Sequence, residues 1–255
     1  MIIKLDELKP ICSKILFALD PSNTTELSDV LQIKAEGTFL SLTVTNGEYF
    51  VEVKLPGTDI ASFNATVNAD SFLKLIPLFT KEEINLYIKD QALRIECDGK
   101  YKLPLIYKNE NMLELPKIEI SNVTSNFEIE TTILKSILNY NSREFNKGTA
   151  VRPVQSLYYI DEKGALTFTT GACVNNFALP APIRILLNQK LVRLFKLFEE
   201  DKVNFSLGTD KVGEGFEQTK VKFETPNNII QNTSNIFYSY IIIVGNFILF
   251  IFIKK

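Results

Sequence analysis

The feature that most constrains the fold is an internal repeat. The segment SFLKLIPLFTKEEINLYI, residues 71–88, aligns without a gap with KLVRLFKLFEEDKVNFSL, residues 190–207, at an offset of about 119 residues. Phe79 falls on Phe198, and the similarity continues on both sides. The chain therefore contains two copies of one structural unit.

Each copy combines helical and strand patterns. Apolar residues at spacings of three and four predict an amphipathic helix over residues 5–19, with Pro10 expected in its opening turn. Alternating apolar residues on both sides of Asn46-Gly47 predict a β-hairpin. A second short helix and a second hairpin follow. We predict an α+β fold, a tandem repeat with two helices packed on antiparallel sheets in each domain.

A polar segment with Pro116 at its centre separates the two units and is typical of a connector. The predicted boundaries are a first domain at residues 1–118, a second at 119–233 and an apolar tail at 234–255.

Composition narrows the possible functions. With 28 basic and 30 acidic residues the net charge is −2, so any contact with nucleic acid requires locally clustered charge. The chain has no histidine, and no set of nucleophile, base and orienting group can be named, so we do not expect an enzyme. Cys12, Cys97 and Cys173 lie far apart, which suggests neither disulfides nor a zinc site. We expect no metal or cofactor, and a cytoplasmic location.

Four stretches resemble the bacterial-type sliding clamp, the processivity subunit of a replicative DNA polymerase. They are the opening helix through Leu19, residues 71–88, VRPVQSLYYIDEKGALTFTTG at residues 151–171, and KLVRLFKLF at residues 190–198. The resemblance covers roughly residues 1–226. It implies domains of two helices against two small sheets, six of which close into a ring with the helices inside.

The resemblance implies a DNA polymerase processivity factor that encircles duplex DNA. Its implied partners are the DNA backbone, a DNA polymerase, a clamp loader and further copies of itself. Bacterial clamps join two copies of three domains, whereas other types join three copies of two domains. This chain is then either a two-domain clamp that forms trimers or a bacterial-type clamp without its third domain. The alternative function is a truncated or membrane-tethered interaction protein that does not close a ring.

Helix-borne cations are the candidate DNA contacts. Lys190, Arg193 and Lys196 are spaced to share one face of a helix, opposite its apolar residues. Further candidates are Lys135, Arg143 and Lys147 in the second unit and Lys14 and Lys74 in the first. The alternative for each of these residues is the solvated face of an amphipathic helix.

Two further segments carry functional hypotheses. The resemblance implies a pocket for partner peptides, one wall of which is a Thr-Asp-Gly-His-Arg-Leu loop. Thr169 and Gly171 match this loop and Val174 replaces its Leu; the alternative is a plain turn between strands. Residues 236–253 are almost wholly apolar. This tail is a degenerate gene end, a membrane-associated segment, or strand structure buried in an assembly.

Overall fold

The structure is a computed structural model of the chain. It describes residues 1–19, 27–45, 49–120, 122–136, 157–161, 164–168, 172–176, 184–188, 192–211, 217–234, 239–244 and 247–252. In this part the chain has an α+β fold with short helices and antiparallel sheets, as predicted from the repeat.

Most of the described residues lie in strands. In the first half these are β1 (Ile2–Lys4), β2 (Val30–Thr45), β3 (Tyr49–Asn68), β4 (Glu83–Lys89), β5 (Ala92–Glu96), β6 (Lys100–Pro104), β7 (Tyr107–Lys108) and β8 (Asn111–Met112). In the second half they are β9 (Val123–Glu130), β10 (Leu157–Asp161), β11 (Gly164–Phe168), β12 (Ala172–Asn176), β13 (Arg184–Asn188), β14 (Lys202–Lys211), β15 (Glu217–Glu224), β16 (Asn228–Ser234), β17 (Ser239–Val244) and β18 (Phe247–Phe252).

Three sheets hold most of these strands. One has the order β1-β4-β5-β6, and a second has the order β12-β11-β10-β13. The third has the order β2-β3-β16-β15-β14-β9 and therefore contains strands from both halves of the chain.

The strand pairing of the first half recurs in the second. In the β1–β4 pair Ile3 lies opposite Ile84, and in the β9–β14 pair Ile129 lies opposite Val203. All four side chains are buried. The repeat is therefore present in the folded chain, while the domain boundaries stay predictions.

Helix α1 (Leu5–Ile15) follows β1 directly, and the 3-10 turn Leu16–Ala18 continues it. Buried residues recur along it at spacings of three and four, so one face packs into the core. One of them is Cys12, and burial raises the pKa of its thiol to about 12. Pro10 lies inside α1 and not in the opening turn, because the helix already begins at the buried Leu5.

Helix α2 (Ala69–Leu75) begins with a side-chain cap. The Asn68 Oδ1 atom accepts a hydrogen bond from the Ser71 backbone N–H at 2.9 Å, which satisfies one of the free amides at the helix start. Phe72 and Leu73 are buried, and the 3-10 turn Ile76–Leu78 ends the segment.

The second half has the same pair of helical segments within its described residues. Residues 131–136 and 192–193 are helical, and the 3-10 turn Leu194–Leu197 follows the latter. The two 3-10 turns end alike: the Phe79 N–H donates to the Ile76 carbonyl, and the Phe198 N–H donates to the Phe195 carbonyl, both at 3.3 Å.

The core of the second half is aromatic. The Phe195 ring lies 4.8 Å from that of Phe223, which lies 5.2 Å from that of Phe205, and Phe205 stacks at 5.0 Å on Phe127. Three of the four are fully buried, so these contacts fix the 3-10 turn to β14 and β15.

The two halves are joined by main-chain hydrogen bonds between β3 and β16, which we call the seam. Its register runs from Val53 opposite Asn228 to Tyr49 opposite Asn232. The predicted connector around Pro116 also contacts the second half. The Lys220 ammonium, on β15, donates a hydrogen bond to the Glu119 carbonyl at 2.7 Å.

Gly208 on β14 lies directly under the end of this connector. A Cβ atom there would come 2.2 Å from Ile120 Cγ2 and 2.6 Å from the Asn122 carbonyl oxygen. The second of these atoms belongs to the backbone, so a side chain at this position would have to displace the chain itself.

We predict that Gly208→Ala lowers the free energy of unfolding by about 1–3 kcal/mol, the usual cost of overpacking. Gly37→Ala is the control, since its Cβ would meet nothing within 4 Å and only its φ of +62° is unfavourable, at about 1–2 kcal/mol. Urea unfolding measures both. If Gly208→Ala lowers the free energy of unfolding by less than Gly37→Ala does, the connector does not pack on β14.

The described residues of the apolar tail form a hairpin, in which Ser239 of β17 lies opposite Phe252 of β18. The gene-end, membrane and assembly interpretations of this tail stay hypotheses. Over the residues that the structure describes, no helix has both the length and the apolar character needed to span a bilayer.

Candidate nucleic-acid interface

Helical segments from both halves lie beside one another, and we call them the helical row. The row comprises α1 and α2 with their 3-10 turns, residues 131–136 and residues 192–197. Helix α1 contacts the turn Ile76–Leu78 of its own half and the turn Leu194–Leu197 of the other half. At the contact within the first half, the Lys9 ammonium donates a hydrogen bond to the Phe79 carbonyl. The seam therefore brings helices of the two halves together as well as their strands.

Arg193 lies in the helical segment 192–193, and Lys196 lies in the 3-10 turn Leu194–Leu197 that follows it, where the sequence had predicted one continuous amphipathic helix. Val192, Leu194 and Phe195 beside them are buried, Arg193 is half-buried, and Lys196 is exposed. Within the described ranges, Arg193 has no acidic side chain in ion-pair distance. Lys190 lies outside the described residues.

Lys196 contacts the other half of the chain. Its ammonium lies 5.5 Å from the centroid of the Phe17 ring, which is the geometry of a cation–π contact. Phe17 is 50% exposed, so the ring and the ammonium share a solvated surface. Lys196 can leave this ring for an anion at a cost of about 0.5–1 kcal/mol.

Lys14 reaches across the same junction in the opposite direction. Its ammonium forms an ion pair and a hydrogen bond with the Glu199 carboxylate. This hydrogen bond, together with the charge of Lys14, lowers the pKa of Glu199 below its ordinary value. Each half therefore contributes one cation to the other half.

Two further candidates have acidic neighbours. Lys135 is half-buried and lines a cleft of about 320 Å³ together with Glu199, Glu200 and Asp201. Lys74 is exposed on α2, and its ammonium lies 2.8 Å from the Asp70 carboxylate one helical turn earlier. Such an exposed pair contributes little to stability and is easily exchanged for another anion.

The remaining candidates cannot be placed. Arg143, Lys147, Thr169 and Gly171 lie outside the described residues. Val174 lies on β12, opposite Leu166 of β11. The peptide-pocket hypothesis therefore stays a prediction.

A groove of about 600 Å³ follows the junction between the halves. Ile11 of α1, Leu55 of β3 and Leu197 contribute apolar surface to it, and Glu7 and Glu200 contribute acidic groups. Nothing in the repeat pattern predicts this groove, because it is lined by residues far apart in sequence.

Sequence reasoning missed Phe17 and Glu199 as junction residues. Glu199 follows the second helical segment of its half, where an acidic side chain is usually solvated. Phe17 lies on the exposed side of the 3-10 turn that follows α1. An aromatic residue outside the apolar face of this helical segment was the one sequence feature that could have indicated the contact. In the part of the chain that the structure describes, no three His, Cys, Asp or Glu side chains are grouped so as to hold a metal ion.

No protein-family model matches the chain, and no curated protein matches it. Solved structures do match. The DNA polymerase III subunit beta sliding clamp of Bartonella birtlesii, bound to griselimycin, aligns at 15% identity and a TM-score of 0.71 over 91% of this chain and 64% of that chain. The DNA polymerase III beta subunit of Thermotoga maritima aligns at 13% identity and a TM-score of 0.70, over 92% and 64% of the two chains.

The Helicobacter pylori beta clamp bound to a DNA ligase peptide aligns at 16% identity and a TM-score of 0.66, over 91% of this chain and 65% of that one. The chain thus has the repeated α+β fold of sliding clamps. More particularly, its fold is that of the bacterial DNA polymerase III beta subunit, and it spans about 64% of the length of these clamps.

We predict that Lys14→Met returns the pKa of the Glu199 carboxyl towards its ordinary value. In the wild type the ionised carboxylate is favoured, so the ion pair strengthens the junction above the ordinary pKa and is lost as the pH falls through the lowered one. Carboxyl-carbon NMR titration measures this change. Lys89→Met is the control; an unchanged Glu199 titration in Lys14→Met contradicts the ion pair.

Proposed function

We propose that the chain is a sliding clamp that encircles duplex DNA, holds a DNA polymerase on it, and catalyses no reaction itself. One observation carries the proposal: the chain has the fold of a clamp, and helical segments of its two halves lie beside one another with cationic side chains, Lys14 and Lys196 among them.

The charge pattern suits a protein that slides. Such a protein must contact phosphates without reading bases, and long cationic side chains on helices provide contacts of this kind. The proposed DNA contacts are Lys14, Lys74, Lys135, Arg143, Lys147, Lys190, Arg193 and Lys196. The net charge of −2 keeps attraction to DNA local to this surface.

Encirclement requires self-association. Six units of the kind seen twice here would take three copies of a two-unit chain, whereas a protein with a third unit would close with two copies. The clamp must also be opened and placed on DNA, so a clamp loader and a DNA polymerase are the proposed partners. We place the protein in the cytoplasm, as its composition suggested.

Partner binding is proposed through short peptides. The Helicobacter pylori clamp binds a DNA ligase peptide, and the Bartonella birtlesii clamp binds griselimycin. By analogy we propose that Thr169, Gly171 and Val174 contribute to a peptide site in this chain.

We predict that the protein binds linear duplex DNA with open ends and is excluded when bulky protein blocks both ends. A ring must thread over an end, whereas a groove would bind either DNA equally. Filter retention of the two DNAs measures the difference. Equal binding to both contradicts encirclement.

We predict that Arg193→Glu weakens binding to open-ended duplex DNA about 10-fold or more. The slope of log binding constant against log salt concentration should fall by about one released counterion. Lys89→Glu is the matched control, because Lys89 is equally cationic but exposed at the end of β4, away from the helical row. Binding across a range of salt concentrations measures both variants. An equal loss in both contradicts a specific role for Arg193.

A further inference from the structure

The groove of about 600 Å³ between the two halves, which we call the junction groove, has walls from three parts of the chain. One wall is a single face of α1, because residues about four positions apart lie on the same side of a helix. The members of this face are Asp6, Glu7, Pro10, Ile11 and Lys14. The other walls are residues 53–56 of β3 and residues 197, 199, 200, 227 and 228 of the second half. Ligand-binding clefts measure about 300–1,000 Å³, so the groove has room for a short peptide segment.

The lining of the junction groove is acidic. It carries four carboxylates and two ammonium groups, those of Asp6, Glu7, Glu199 and Glu200 and those of Lys14 and Lys54. Both ammonium groups already have a carboxylate neighbour: Lys14 binds Glu199, and Lys54 lies 3.9 Å from Glu52. The groove therefore presents a net negative charge to a ligand.

The Glu200 carboxylate is held in place by its neighbours. One oxygen accepts hydrogen bonds from the side-chain amides of Asn228 at 3.4 Å and Asn227 at 3.5 Å, and the other accepts the Glu199 backbone N–H at 3.1 Å. Asn228 also lies opposite Val53 at the end of the seam. A carboxylate fixed in this way can bind a cation with little loss of side-chain freedom.

The junction groove also has apolar surface. Ile11 is half-buried, and Pro10 and Pro56 are exposed. Proline side chains lose almost no conformational entropy on contact, and an apolar ligand side chain packed against them is removed from water. The groove thus combines an apolar surface with carboxylates.

This chemistry selects the kind of ligand. Phosphates of DNA would be repelled by the carboxylates, whereas a cationic peptide is complementary to them. We infer that the junction groove binds a short segment of a partner protein in which apolar side chains are flanked by Lys or Arg. It is a second peptide site besides the one proposed at Thr169, Gly171 and Val174, and it does not depend on encirclement of DNA.

The test uses the full-length protein and fluorescein-labelled peptides with blocked ends. The probe is Gly-Lys-Leu-Leu-Arg-Gly, and fluorescence anisotropy at low ionic strength measures its binding. We expect saturable binding to the wild type. Replacing both cations of the probe by Glu, or both Leu residues by Ser, should weaken binding at least about 10-fold.

Variants of the protein locate the site. Asp6→Lys/Glu7→Lys should bind the basic probe at least about 10-fold more weakly than the wild type, and it should bind the acidic peptide at least about 10-fold more tightly. Glu200→Gln removes a charge while it keeps an oxygen for the Asn228 amide, and it should weaken the basic probe about 3-fold or more. The gain for the acidic peptide requires a folded protein, so unfolding cannot imitate it.

The matched control is Glu110→Lys/Glu114→Lys, which adds the same positive charge at two exposed residues. The neighbouring Leu113 carbonyl accepts a hydrogen bond from Thr66, near the opposite end of β3 from the junction groove. This variant should bind both peptides as the wild type does.

Four outcomes overturn the inference. The basic probe fails to bind the wild type, the acidic peptide binds the wild type equally well, the control loses as much binding as Asp6→Lys/Glu7→Lys, or that variant loses self-association and not peptide binding. The last outcome would make a second copy of the chain the occupant. Each of them leaves the effect of Arg193→Glu on DNA binding to be judged separately.

Discussion

The main-chain pairing of β3 with β16 is the interaction on which the rest of the structure depends. It joins strands from the two halves into one six-stranded sheet, and it places α1 beside the turn Leu194–Leu197. At this seam the Glu52 carboxylate is only 9% exposed, with the Lys54 and Lys117 ammonium groups 3.9 and 3.8 Å away. A carboxylate held in this way needs its partners, so it ties strand, connector and seam together.

Local patterns predicted the units of this fold well. The apolar spacing from Leu5 onwards predicted α1, and the ungapped repeat predicted that both halves share one plan, which the paired strands reproduce. Some turns were less predictable. The β4–β5 hairpin turns at Asp90 and Gln91, both with a φ of +53°, although neither is the glycine that usually marks such a turn.

Contacts between the halves could not be predicted from the sequence. Leu78 and Leu197 occupy the same place in the repeat, yet one is 73% exposed and the other 3%. Their difference arises from which strand edge is occupied, and no local pattern encodes that. The same holds for the cations: helical spacing placed Lys14 and Lys196 on polar faces, but it could not show that Glu199 and Phe17 would face them.

Each half contributes one cation to the surface of the other half. Lys14 and Lys196 contact the opposite half through side chains that lie at the solvated surface. If a phosphate displaced these ammonium groups, the contacts between the halves would be lost. By thermodynamic reciprocity, whatever strengthens these contacts would then lower the affinity for the phosphate by the same factor.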